Sequence, residues 1–284
     1  MIFNKSKAVI YMLLSALSFA FMSAFVKLAG DIPLFEKVFV RNLISLIIAF
    51  LVIIKSKRSM LGKKENRRFL LMRSSFGLIG VILYFYSINN LYLADSSMLN
   101  KISPFFVTFF AGIFLKERIR KFQIVALFVI FGASLLIIKP KYDLSILPAI
   151  SGFTAAIFAG AAYTTVRFLG GKEQPQTIVF WFSAVSVLVM FPLMLINFKV
   201  PDGMQVIYLL GTGLFAAGGQ FGLTLAYKFA EASKVAIYNY ANIIFAVIIG
   251  YFIWSEIPDF LSIVGGILII LTSIAIFVNN LNKT

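Results

Sequence analysis

Apolar residues run along the chain in long unbroken stretches and do not alternate at every second position. Ten stretches approach or reach the roughly 20 residues that a helix needs to cross a hydrocarbon layer. They are 8–28, 34–54, 69–91, 95–115, 122–139, 147–168, 176–198, 204–228, 233–254 and 259–279. Without a period of two, the pattern predicts membrane helices and not a barrel. Polar residues are confined to short links, the longest being the basic segment Lys55–Arg68, so no separate soluble domain is expected. The first stretch follows Lys5 and Lys7 and has no small-x-small cleavage signal before Lys27, so it reads as a span and not as a signal peptide.

The stretches repeat. A shift of 139 residues carries Lys116-Glu117-Arg118 onto Ser255-Glu256-Ile257, Asn100 onto Asn239, and Gly80 onto Gly219. Phe122–Lys139 then pairs with Leu261–Val278 without a gap, and Lys27 falls on Arg167 at a shift of 140. Each half, 1–141 and 142–284, holds five predicted spans. Five is odd, so the second copy enters the membrane from the opposite side. The expected fold is all-α and polytopic: ten transmembrane helices as two inverted five-helix repeats. The loop charges agree. Lys116, Arg118, Arg120 and Lys121 follow the fourth span, whereas its counterpart carries Glu256 and Asp259 and no Lys or Arg. Inverted halves can exchange conformations and open a site between them to each side in turn, which points to transport.

Composition strengthens this picture. Only 13% of residues are charged, against about a quarter in soluble domains, and mean hydropathy is +0.96. A net charge of +15 would suggest nucleic acid in a soluble protein, but here the 26 Lys and Arg gather in the links. With the amino terminus inside, 17 of them fall in inside segments, five in outside ones (Lys27, Lys37, Lys139, Lys141, Lys199) and four within spans (Arg41, Arg73, Lys101, Arg167). That bias predicts both termini cytoplasmic in an inner membrane, and no nucleic-acid partner. Cys and His are absent, which removes disulfides, thiolate metal sites, the commonest metal ligand and the usual proton shuttle. No metal or cofactor is expected. The expected partners are a small-molecule substrate and membrane lipid, with the chain a monomer or homodimer.

Within SMLNKISPFF, Lys101 is the only charge between Asp95 and Lys116. It lies about six residues, roughly 9 Å, into its span. Two readings stand. Lys101 snorkels to the interface, or pairs with Glu36 or Asp95. Alternatively it faces a cavity and meets a substrate anion, because an intramembrane ammonium is costly and marks pathways. Asn100, Lys101 and Ser103 form a polar step, and Pro104 can free a backbone carbonyl nearby. Arg41 sits at a similar depth, about seven residues into the second span. Two cations at one level need an anion between them, either Glu36 or a substrate, and arginine suits bidentate carboxylate or phosphate recognition. Arg73 and Arg167 lie near span ends and read as interface anchors.

In the second half, Tyr238-Asn239-Tyr240 and Asn242 occupy the stretch equivalent to Lys101, and Tyr240 and Asn242 are the favoured cavity residues. Tyr84, Tyr86, Trp181 and Gln220 join Asn100 as further candidates. GTGLFAAGGQFG, residues 211–222, lacks the strand-loop-helix setting and the Lys-Ser/Thr ending of a phosphate loop, so it reads as close helix packing. Glu117 and Glu256, at helix ends, read as structural. All 11 acids lie in links or near span ends. A proton-coupled pump needs a titratable group nearer the midplane, so the pattern favours exchange or facilitated movement. It also favours an anionic or zwitterionic substrate. No catalytic residues are expected, because no acid pair or nucleophile-base set is present.

The segment Tyr92–Ile138, with its LADSSMLNKISPFF, and the segment Glu231–Phe277, with its EASKVAIYNYANIIF, resemble the paired EamA-type halves of the drug/metabolite transporter superfamily. A small-residue entry, a polar mid-helix position, a glutamate at the helix end and a Gly-containing next helix recur in both. Phe35-Glu36, Val40-Arg41-Asn42 and Met72-Arg73 are similar to the branch that includes S-adenosylmethionine carriers. The resemblance implies ten helices around a central cavity lined by both halves. The family carries amino acids, nucleotide-related metabolites, choline-like compounds and drugs; with the cation and acid pattern above, the expected function is a carrier of a small polar metabolite, an amino acid or derivative, working by alternating access. The alternative is transport or recognition of a phosphorylated lipid-linked compound.

Overall fold

The computed structural model describes residues 2–57, 59–114, 121–139, 144–229 and 236–281. Lys116, Glu117, Arg118 and Arg120 lie outside the described residues, as do Arg58, Lys141, Asp143, Glu231, Lys234 and Lys283. The described residues form helices and no strand: α1 (Ile2–Leu28), α2 (Leu34–Ser56), α3 (Arg67–Asn90), α4 (Leu93–Asn100), α5 (Ser103–Phe114), α6 (Lys121–Ile138), α7 (Leu147–Leu169), α8 (Pro175–Ile196), α9 (Gly203–Phe229), α10 (Ala241–Trp254) and α11 (Phe260–Leu281). Seven segments are long and apolar enough to cross a membrane, and shorter apolar helices at 124–138, 238–254 and 260–275 occupy the remaining three predicted places.

The fourth and ninth predicted spans are not single α-helices. The fourth breaks at Lys101-Ile102. Pro104 has no N–H to give the Asn100 carbonyl and disfavours the helical conformation at Ser103. The chain instead tightens through Ile102 N–H to Leu99 O (3.1 Å) and Phe105 N–H to Ile102 O (3.0 Å). In the ninth, a 3₁₀ turn over Ala236–Tyr240 leads into α10.

The principal packing pairs join one half to the other. α1 lies along α9, and α3 along α7. α2 packs on α8 and on α9, α3 on α8, α6 on α11, α5 on α7, and α10 on α1. Exchanging equivalent helices of the two halves (α1 with α7, α2 with α8, α3 with α9, α5 with α10, α6 with α11) maps these pairs onto themselves. The close approach of α1 and α9 uses the Gly-rich run, which is continuous helix. Ser15 Oγ donates to Gly219 O at 2.7 Å, and a Cβ on Gly219 would lie 2.7 Å from the Phe19 ring.

Lys37, which the sequence places among link charges, is fully buried. Its Nζ donates to Val26 O (3.0 Å), Gly30 O (2.8 Å) and Asn89 Oδ1 (3.0 Å). Gly30 takes φ +58°, a left-handed turn that costs glycine little. All three ammonium protons are thus used in fastening the α1–α2 turn to α3.

Among the described residues, three ion pairs gather at the end of the bundle where α1 finishes. Lys27 pairs with Glu256, Lys139 with Asp259, and Lys199 with Asp31, each across the two halves. The second Glu256 oxygen accepts Leu93 N–H at the start of α4 (2.8 Å), where the helix dipole favours an anion. Lys27 also donates to Leu91 O (2.8 Å) and lies 5.2 Å from the Trp254 ring. Asp31 takes a further bond from Gln205 Nε2 (2.8 Å). The Lys199 ammonium, with Gln205, holds the Asp31 carboxyl below its ordinary value of 3.8. At the opposite end Glu173 Oε1 accepts Lys63 N–H (2.8 Å) and Asn66 Nδ2 (2.7 Å).

Candidate functional site

A cavity of about 100 Å³ lies at the α4–α5 break, among α1, α2, α3, α7, α8, α9 and α10. At about 10–15 Å³ each, it has room for roughly seven to ten water-sized groups. Among the described residues three cations line it, Arg41, Arg73 and Lys101, and no Asp or Glu does.

Arg41 is buried on α2, and its Nη1 donates to Asn42 Oδ1 at 2.6 Å. Its Nε has no hydrogen-bond partner. Arg73 is buried on α3, with neither Nε nor Nη1 hydrogen-bonded. Both guanidiniums lie against Phe182, 4.0 Å from the ring centroid for Arg73 and 5.2 Å for Arg41. An arginine on a ring face is held by cation–π attraction while its edge N–H groups stay free to donate. Lys101 sits at the helix break, and its Nζ donates to Asn239 Oδ1 across the halves at 3.2 Å. Neither Glu36 nor Asp95 pairs with it among the described residues. Glu36 instead accepts the Lys199 backbone N–H (3.3 Å), and Asp95 is buried with Oδ1 unbonded.

Of the residues picked out in sequence, Arg41, Lys101, Asn100, Tyr84, Gln220 and Asn242 line this cavity. Tyr84 bonds Ser23 Oγ (3.1 Å), and Asn242 Nδ2 donates to Ala16 O (2.9 Å), tying α10 to α1. Three others lie elsewhere. Tyr86 is two positions from Tyr84 and so turned toward the outside of α3, where it is 36% exposed. Trp181 packs with Leu70, Leu169 and Ile178. Tyr240 packs among Met98, Phe105 and Ile269. Asn239 and Asn242, three apart and so on one helical face, line the cavity in its place.

Arg73 corrects the sequence reading. It is not an interface anchor but a buried cavity residue. Phe182 and Tyr163 were also missed. A signal for Arg73 was present: Arg73, Gly77, Gly80 and Tyr84 fall at three- and four-residue spacing on one face of α3. Two glycines there leave space, and Tyr84 was already a candidate.

A helical membrane bundle around a cationic cavity is the architecture of a polytopic transporter of small molecules. The chain belongs to the EamA-like transporter family, whose model matches residues 6–139 and again 146–278. It is thereby a member of the drug/metabolite transporter superfamily. It is 35% identical over 271 residues to the pseudopaline exporter CntI of Pseudomonas aeruginosa (strain UCBPP-PA14), covering 94% of this chain and 95% of that protein. To human solute carrier family 35 member G1 it is 26% identical over 283 residues, covering 93% and 77%. A riboflavin transporter of Rhizobium johnstonii is 30% identical over 186 residues, covering 64% and 60%. These relatives are named as transporters, not enzymes. A solved structure titled "Crystal structure of protein" shares the fold, with a TM-score of 0.68 at 12% identity over 94% of this chain and 95% of the other.

Proposed function

We propose that the chain is an inner-membrane carrier of a small polar metabolite with an anionic group, an amino acid or derivative, that works by alternating access. One observation carries this reading: Arg41, Arg73 and Lys101 face a common cavity that no carboxylate among the described residues lines. Buried cations without a counter-ion are expensive, and a bound anion relieves that cost. Pairs of helices that map onto themselves when the halves are exchanged support inverted repeats and a site between them. The Lys and Arg bias supports cytoplasmic termini. The far end, with its three ion pairs between halves, is then the outer one. The 35% identity to a protein named as a pseudopaline exporter, over 94% of this chain, supports the transporter role. The lipid-linked alternative draws no support from the groove between α6 and α11, because no residue of it also lines the cationic cavity.

The test is a thermal-shift screen of anionic, zwitterionic and neutral metabolites on purified protein, with Arg41→Ala and Lys101→Ala alongside. A ligand of the folded state raises the apparent Tm. The expected result is stabilisation of the wild type by anionic or zwitterionic compounds, lost in both variants, and uptake of the same compounds into proteoliposomes. Equal response of all three proteins would overturn the assignment.

A further inference from the structure

We propose that the ligand carries two separate oxyanionic groups, one held at the Arg41–Phe182–Arg73 cluster and the other at Lys101. This rests on reading the cavity as an anion site and goes further, because the unfilled donors fall into two groups. Around Phe182, Arg41 leaves Nε unbonded and Arg73 leaves Nε and Nη1 unbonded, all three atoms buried. At the α4–α5 break, Lys101 Nζ has Asn239 Oδ1 as its one acceptor among the described residues.

Lys37 provides the internal standard. It too is a buried ammonium in this bundle, yet it meets three acceptors within 3.0 Å and needs nothing more. Lys101 has capacity for two further bonds. The same contrast separates Lys27, which meets a carboxylate and a carbonyl, from the arginines at Phe182. Lys37 and Lys27 are thus answered by the fold, whereas all three cavity cations keep open donors; outside the cavity, Arg67 Nε is a further buried and unbonded arginine nitrogen.

A monoanion in either place would leave the other cation group buried without a counter-charge. A ligand with one carboxylate at each end answers both groups, and Asn100, Gln220 and Asn242 line the same cavity as neutral polar partners. Room for roughly seven to ten non-hydrogen groups fits a short chain with two carboxylates. Arg73 thereby becomes a determinant of substrate charge.

The experiment is calorimetric titration of the full chain in lipid nanodiscs with propionate, succinate, tricarballylate, succinamide and glycerol 3-phosphate. The expected result is that succinate binds about 10- to 100-fold more tightly than propionate, the range of one added charge-assisted interaction, and that succinamide does not bind. In Lys101→Met, the affinities for succinate and propionate fall to within about threefold of each other. In Arg73→Gln both acids weaken. Lys101→Gln, which keeps a polar reach to Asn239, repeats the loss if the charge is what counts. Each variant is checked for an unchanged Tm without ligand. Equal affinity for propionate and succinate in the wild type overturns the two-group ligand and leaves the carrier of an anion standing. Tighter binding of glycerol 3-phosphate than of either polycarboxylate overturns it as well, by placing both charges on one group. No binding of any charged probe overturns both readings.

Discussion

The Lys27–Glu256 pair permits a quantitative prediction. Glu256→Gln keeps the size of the side chain and an acceptor for Leu93 N–H, so the perturbation is the loss of one charge. Two unit charges about 4 Å apart attract by about 4 kcal/mol at an effective dielectric of about 20. Leaving one partner of a buried pair alone costs about 3–5 kcal/mol. The side chains are 16% and 9% exposed, and Lys27 keeps Leu91 O and the Trp254 face, so about 2–3 kcal/mol is the appropriate figure. If the pair forms only while that end is shut, the variant shifts the open-to-shut ratio by about 30- to 150-fold. The chain has no cysteine, so Ser103→Cys in the cavity wall provides a unique thiol. Its labelling by an impermeant maleimide from the Lys27 side of sealed vesicles should quicken at least tenfold in Glu256→Gln. A double-mutant cycle with Lys27→Met should give a coupling of about 1–3 kcal/mol in unfolding. An unchanged labelling rate together with a coupling under about 0.5 kcal/mol would refute the gate.

Three further outcomes are expected. Gly160→Ala should lower stability by about 1–3 kcal/mol, because its new Cβ would stand 2.3 Å from Phe106 Cβ and 3.1 Å from that residue's carbonyl carbon. Gly132→Ala, with nothing within 4 Å, should stay within about 0.5 kcal/mol, and similar Tm values for the two would contradict the packing argument. Lys37→Met strips three acceptors of their donor and should cost about 2 kcal/mol at membrane values of about 0.6 per bond, measured by denaturant titration in detergent; a gain in stability would show that burying the ammonium outweighs its bonds. The Asp31 carboxyl is held below 3.8 by Lys199, so its contribution is present above that pH and is lost as pH falls through the lower folded value. Asp31→Asn should therefore flatten the acid limb of a Tm-versus-pH curve, and an identical limb in wild type and variant would count against the pair.

The helix places were legible because each apolar run is long and the links are short and charged. The two interruptions were only half legible. Pro104 announced the first, but the 3₁₀ turn at Ala236–Tyr240 has no proline to mark it, and we have no local account of it. Arg41 and Lys101 were legible as costly intramembrane charges. Arg73 was misplaced because distance from a span end was weighed above the helical face it shares with Tyr84. Tyr240 was misplaced for the converse reason: at a 3₁₀ junction one step of rotation decides between cavity and core. Lys37 was unreadable from sequence, since its burial depends on Asn89, 52 positions away.

The three cavity cations all come from the first half of the chain. At the repeat spacing, their second-half counterparts are Phe180 or Trp181 for Arg41, Thr212 for Arg73 and Tyr240 for Lys101. Two identical halves would have brought six positive charges to one small space. Instead the first half supplies the cavity's charge, and the second half adds Tyr163, Phe182, Gln220, Asn239 and Asn242 to its wall. Such a division lets the charge and the outline of the cargo evolve separately. A lineage can change what it carries by editing one copy at a time, while the helix pairs that join the copies stay as they are.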